Sequence, residues 1–170
     1  TSTYTGQNTK MSFHGTAIPG KTERRKELAQ ICMMHPDVYV AQTTCADFNH
    51  FYKAVMAANE YPGPAIINVY TTCQPEHGVA DDMASAQARL AKESRAFPIF
   101  IHDPNKGDLI KERLDLRGNP TVKEDWYTIP KTGEVIDFIT FARSEGRFSK
   151  HFDKDGAPSD ALLASQEDRR

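Results

Sequence analysis

The chain has 170 residues, 39% of them apolar, which suits one domain with a hydrophobic core. Its 21 Lys and Arg stand against 23 Asp and Glu, and a formal net charge of −2 supplies no field to hold a polyanion, so nucleic acid is not an expected partner. The longest apolar runs, Pro64 to Val69 and Phe97 to Ile101, fall far short of the roughly 20 residues a membrane helix needs. Three cysteines at irregular spacing do not suggest a disulfide framework. A cytoplasmic protein with no membrane partner is the expectation.

The chain opens on TSTYTGQNTK, a loop composition rich in Thr, Gly and Asn, with no methionine and no basic-then-apolar leader. This reads as the middle of a longer polypeptide, in which any shared site would be half present here. Lys21 to His35 follows with helical spacing: Thr22 as cap, Glu23 at the positive end, and Leu28, Ile31 and Cys32 on one face. Val38 to Thr44 is β-branched and aromatic, as strands are. Ala46 to Tyr61 returns to helical spacing, with Phe48, Phe51, Tyr52 and Val55 at i, i+3, i+4 and i+7. The turn YPGP ends it, because proline lacks a donor.

Ala65 to Thr72 predicts a strand whose apolar start suits burial on both faces. Ala80 to Arg95 predicts a helix with Val79, Met83 and Leu90 as its stripe. Phe97 to His102 predicts a third strand. Alternating strands and helices with short connections imply an α/β fold, a parallel sheet with flanking helices, and ligands beyond its carboxyl ends. Those ends would carry Thr43 to Cys45, Thr71 to Gln74 and His102 to Asn105. Residues 1–115 read as this unit. Residues 116–170 read as an irregular C-terminal extension that wraps or docks, with a short helix at Val135 to Arg143 and a mobile last fifteen or so residues.

Cys73, at the end of the second strand, has three readings on residue type: small apolar filler, metal ligand or nucleophile. With Cys32, Cys45 and Cys73 so far apart, this chain has no Cys-x-x-Cys pair and cannot build a four-thiolate site by itself. Cys32 falls on a helix face and reads as core. Cys45, His14, His77 and His102 read more simply as structural or exposed than as ligands. The opening loop, with its glycine, hydroxyls and Lys10, permits a diphosphate with Mg²⁺.

Taken together, TSTYTGQNTK, GKTERRKELAQICMMHPDVYVAQTT and YPGPAIINVYTTC resemble the thiamine-diphosphate-binding domain of the pyruvate:ferredoxin (flavodoxin) oxidoreductases, in its C-terminal part. That family's pattern runs Thr-Glu-Val-Tyr-Ser-Asn-Thr-Gly-Gly-Gln, Gly-Lys-x-x-x-x-Lys, Tyr-Val-Tyr-Val-Ala, Phe-Pro-Gly-Pro and Tyr-Ala-Thr-Cys. The match covers residues 1 to 110 and, more loosely, the tail through Phe138.

The resemblance implies thiamine diphosphate, Mg²⁺ and a [4Fe-4S] cluster as cofactors. It implies Cys73 as the remote thiolate of that cluster, Thr1 and Thr3 as Mg²⁺ ligands through a hydroxyl and a carbonyl, and Tyr4, Gly6 and Gln7 as cofactor-binding loop residues. Asn8 becomes the candidate for the asparagine that approaches the thiazolium, although the family's loop is shortened here. The family's Ala-Thr-Pro is replaced by Ser12-Phe13-His14. The implied partners are an N-terminal remainder of the same enzyme, ferredoxin or flavodoxin, coenzyme A and a 2-oxoacid, in a homodimer of the parent. Two other readings stand beside it: a non-redox thiamine-dependent decarboxylase or synthase, and a non-catalytic α/β partner module.

Overall fold

A computed structural model of the chain describes residues 3–8 and 20–170. In chain order the helices and strands are α1 (Leu28–Met33), β1 (Tyr39–Thr44), α2 (Phe48–Glu60), β2 (Ala65–Tyr70), α3 (Gln74–His77), α4 (Ala84–Glu93), β3 (Phe100–His102), α5 (Ile110–Arg113), β4 (Leu114–Asp115), β5 (Tyr127–Thr128), β6 (Val135–Ile136), α6 (Phe138–Arg143) and α7 (Asp160–Glu167). The main sheet has the order β2-β1-β3-β4, and β5 and β6 form a separate pair. The fold is α/β, a sheet flanked by helices.

β1 and β2 are parallel, from Tyr39 opposite Ala65 to Thr44 opposite Tyr70. β3 departs from the expected parallel arrangement: Val40 faces His102 and Gln42 faces Phe100, so it runs antiparallel to β1. The cause lies in the preceding segment. Lys92, near the end of α4, sits 2.6 Å from Asp47 just beyond β1, so the chain enters β3 from the edge where β1 and β2 end. Only Thr43 to Cys45 and Thr71 to Gln74 therefore share that carboxyl edge; His102 to Asn105 lies at the opposite one.

The helices bury other faces than the large-residue spacing suggests. On α2, Ala54, Ala57 and Ala58 pack against Tyr39, Ala41, Ile67 and Ile101, while Phe48 and Tyr52 are 76% and 67% exposed. Alanines at i, i+3 and i+4 let the helix approach the sheet closely, and the aromatic stripe then points outward. On α1, Ala29 and Cys32 are buried, and Leu28 and Ile31 are exposed. This helix starts only at Leu28, because Arg25 is drawn under the ring of Tyr4 and bonded to Glu27. On α4 the inward residues are Gln87, Ala88 and Ala91, with Met83 exposed.

β1 is buried along its whole length, and β2 is only half-buried because β1 is its sole partner among the described residues. The largest apolar cluster joins Tyr4, Tyr70 and Phe97 to Phe138, Phe141, Phe148 and Leu162. Segments on both sides of residue 115 thus build one core, and the last residues form α7, whose Leu162 is fully buried. Each such phenylalanine contributes about 1.5–3 kcal/mol of burial.

Candidate functional site

The opening loop is held from three sides. Tyr4 buries its ring and donates its hydroxyl to the Ala96 carbonyl at 2.9 Å. Burial pushes the Tyr4 phenol above its ordinary value, so it stays a donor. The Tyr4 amide donates to Gln7 Oε1 at 3.2 Å, and the Gln7 amide returns to the Tyr4 carbonyl at 3.1 Å, closing a tight turn. Gly6 sits inside this turn at φ +85, a left-handed conformation that favours glycine, and a Cβ there would press on Leu162 Cδ2 at 2.9 Å. Its amide donates to the Lys21 carbonyl at 2.7 Å, and the Lys21 amide donates to Gln7 O at 2.9 Å.

The Thr3 carbonyl, expected to face Mg²⁺, accepts from Lys21 Nζ at 2.9 Å. A cation there requires Lys21 to give up that bond. Burial lowers the Lys21 pKa, which eases such an exchange. Thr1, Lys10, Ser12, Phe13 and His14 lie outside the described residues.

Asn8 ends the described loop. Its amide donates to the Arg147 carbonyl at 2.8 Å, while its buried side-chain Oδ1 has no hydrogen-bond partner. An orphaned acceptor of this kind costs about 1–3 kcal/mol unless something donates to it. Asn8 also lines a cavity of about 340 Å³ with Pro75, Glu76, Gly78, Arg147 and Lys150. The loop and the turn after β2 therefore meet at one opening.

Cys73 caps α3 on that turn and is exposed. The His77 amide donates to the Cys73 carbonyl at 2.8 Å, and the Cys73 amide approaches His77 Nδ1 at 3.4 Å. Burial first, and the Arg147 charge second, push His77 down to about 4. With Nδ1 accepting, the ring is neutral at pH 7, and its 3.8 Å approach to Glu145 Oε1 is a contact, not an ion pair. Gly78 ends the helix at φ +65 against Gly146, where a Cβ would stand 2.8 Å from the Gly146 Cα. Among the described residues no three His, Cys, Asp or Glu side chains gather into a metal site, so Cys73 needs ligands from elsewhere to hold iron. An exposed thiol at a sheet edge has the right chemistry for that.

One part of this edge has no counterpart in the sequence reading. Glu145 is buried and accepts from Tyr70 Oη and Gln87 Nε2, each at 2.9 Å, and from Arg147 Nε. Burial raises its pKa, against the opposing pull of Arg147. Arg147 Nη1 donates to Gln7 Oε1 at 2.9 Å, and its Nη2 is buried without a partner. This pair ties the Tyr4–Asn8 loop to the end of β2. The only hint in the sequence is a Glu-x-Arg beside the aromatics of α6, an ordinary sight in a chain that is 26% charged.

No protein-family model matches the chain. Among curated proteins, the probable pyruvate-flavodoxin oxidoreductase of Escherichia coli is 35% identical over 116 residues, 68% of this chain. The chain corresponds to a segment of the pyruvate:ferredoxin (flavodoxin) oxidoreductase family. The pyruvate dehydrogenase [NADP(+)] of Cryptosporidium parvum is 27% identical over 84% of the chain, and the pyruvate synthase subunit PorB of Thermotoga maritima is 28% identical over 58%. The chain spans 9% and 7% of the E. coli and C. parvum oxidoreductases and 31% of PorB.

Proposed function

We propose that this chain forms one wall of the thiamine-diphosphate and iron–sulfur site of a pyruvate (2-oxoacid):ferredoxin or flavodoxin oxidoreductase. The observation that carries this reading is the shared opening: orphaned Asn8 Oδ1 and the turn that begins at Cys73 meet at one cavity, in a chain related to these enzymes. The parent reaction breaks the bond between the 2-oxoacid carboxylate and its carbonyl carbon, releases CO₂, passes two electrons singly to the acceptor and joins the acyl group to the coenzyme A sulfur. When bound, thiamine diphosphate supplies the electron sink and the [4Fe-4S] cluster the single-electron steps.

The residues of this chain have narrower tasks. Asn8 accepts a hydrogen bond from the cofactor. Tyr4, Gly6 and Gln7 hold the loop's shape, Thr1 and the Thr3 carbonyl bind Mg²⁺ once Lys21 withdraws, and Cys73 gives one thiolate to iron. Neutral His77 fixes the turn that carries Cys73. No helix among the described residues is long and apolar enough to cross a membrane, and a cytoplasmic homodimer is the parent we propose. The acceptor is ferredoxin or flavodoxin, although the C. parvum relative is named for NADP⁺.

Sequencing the coding DNA upstream of the Thr1 codon tests this reading. It should encode a Gly-Asp-Gly segment, whose aspartate completes the Mg²⁺ site, and a Cys-x-x-Cys pair with a further cysteine for the cluster. A start codon directly before Thr1 would contradict it.

A further inference from the structure

Beneath Tyr4, on the side that Arg25 and Arg169 cover, a second cavity of about 220 Å³ opens between the segment leading to α1, the start of β3 and the end of α7. Four guanidiniums line it, from Arg24, Arg25, Arg95 and Arg169, against the two carboxylates of Glu27 and Asp168. The carboxylates are taken: Glu27 accepts from Arg25, and Asp168 lies 3.3 Å from Arg24. Arg169 hydrogen-bonds the carbonyl and hydroxyl of Ser165, at 2.8 and 2.9 Å, and feels the Glu27 and Asp168 carboxylates through space without bonding either. Arg95 donates to the backbone oxygens of Arg170 and Glu124, with the Asp125 carboxylate acting on it from farther off. Its backbone is left-handed at φ 57, a conformation that a side chain other than glycine rarely takes.

Arginines crowd here at an energetic cost. Arg25 and Arg169 both lie over Tyr4, with guanidinium carbons 4.5 and 5.4 Å from its ring centre. Burial lowers the Arg169 pKa, and the charge of Arg25 adds to this against the opposing pull of Tyr4, Glu27 and Asp168, yet a guanidinium stays protonated at neutral pH. Stacking on the ring accounts for where the two groups lie but leaves the excess charge unbalanced. The volume falls below the roughly 300–1,000 Å³ of pockets for whole drug-sized ligands, which suits a single headgroup.

We propose that this cavity is an anion subsite that takes the phosphate or pyrophosphate group of a larger ligand. Four guanidiniums against two carboxylates leave the lining positively charged, and their planar forks suit paired hydrogen bonds to phosphate oxygens. The subsite stands on the cavity alone, and only the choice of candidate carriers rests on the oxidoreductase reading.

Isothermal titration of the full polypeptide carrying this segment with inorganic pyrophosphate tests it. Saturable, salt-sensitive binding is expected. Arg24→Gln and Arg169→Gln should each weaken it by about tenfold, the scale of one charge-assisted hydrogen bond, and Asp168→Asn should strengthen it. Lys131→Gln, on the exposed turn between β5 and β6, should leave it unchanged. Circular dichroism of each variant separates lost binding from lost fold. No saturable binding by the folded chain, or equal weakening by Lys131→Gln, would overturn the subsite. Displacement of pyrophosphate by coenzyme A or by thiamine diphosphate would identify the carrier; displacement by neither would overturn both as carriers.

Discussion

Arg147 and Arg169 both lean on the ring of Tyr4, with guanidinium carbons 5.1 and 5.4 Å from its centre, and their surroundings could hardly differ more. Arg147 has a buried carboxylate beside it, and that carboxylate is in turn held by Tyr70 and Gln87. Arg169 bonds a hydroxyl and a carbonyl, with another arginine nearby and the carboxylates of Glu27 and Asp168 acting on it without a bond. A buried charge with its partner is a strut, since removing either end strands the other. One with no bonded carboxylate contributes less to the fold. The same aromatic ring therefore separates the ion-paired guanidinium, behind the Asn8 and Cys73 edge, from the cavity for which an anion is proposed.

The strut is the easier side to break. Glu145→Ala leaves Arg147 buried without a countercharge and unties Tyr70 and Gln87, and it should cost about 3–5 kcal/mol. Urea denaturation followed by circular dichroism reads this directly. A loss below about 1 kcal/mol would mean that the pair does not anchor the edge.

His77 sharpens the comparison through pH. Its folded pKa is lowered from 6.5 to about 4, so between those values the unfolded chain binds more protons. The stability tied to its neutral form is complete above pH 6.5 and is lost as pH falls towards about 4. The full shift corresponds to about 3 kcal/mol, reduced to about 1–2 by the solvent the ring still meets. Glu145, raised by burial, has the opposite sign and loses stability as pH rises. The effect of His77 is therefore read as the difference between wild type and His77→Gln, which should show a flatter acid limb in pH-dependent denaturation.

Arg169→Gln should move stability least, by less than about 1 kcal/mol. The lost contact with Tyr4 and Phe138 is offset by relief of repulsion from Arg25. Thermal denaturation beside Glu145→Ala gives the ratio, and equal losses would erase the distinction between the two sides.

The order of elements was legible because strand and helix periodicities survive in the chain. The facing of the helices was not. On α2 the large apolar residues make the more conspicuous stripe, yet Ala54, Ala57 and Ala58 pack inward, since close approach to the sheet favours small side chains. The direction of β3 depends on where α4 ends, a tertiary fact with no local signature. The charged composition of the tail hid the spaced aromatics that complete the core, and Phe138, Phe141 and Phe148 join Tyr4 across more than 130 residues of chain.

Of the candidate site, the Tyr4–Asn8 loop and Cys73 were singled out by resemblance, and the structure brings Asn8 to the turn that follows Cys73. Glu145 and Arg147 escaped notice because their importance comes from burial, which residue type does not reveal.

The most direct measurement is the iron content and reduced-state EPR spectrum of the full polypeptide carrying this segment, with Cys73 intact and with Cys73→Ser. The account predicts that the serine variant loses iron and the signal of one [4Fe-4S] cluster while still binding thiamine diphosphate. A full iron complement and an unchanged spectrum in Cys73→Ser would contradict it.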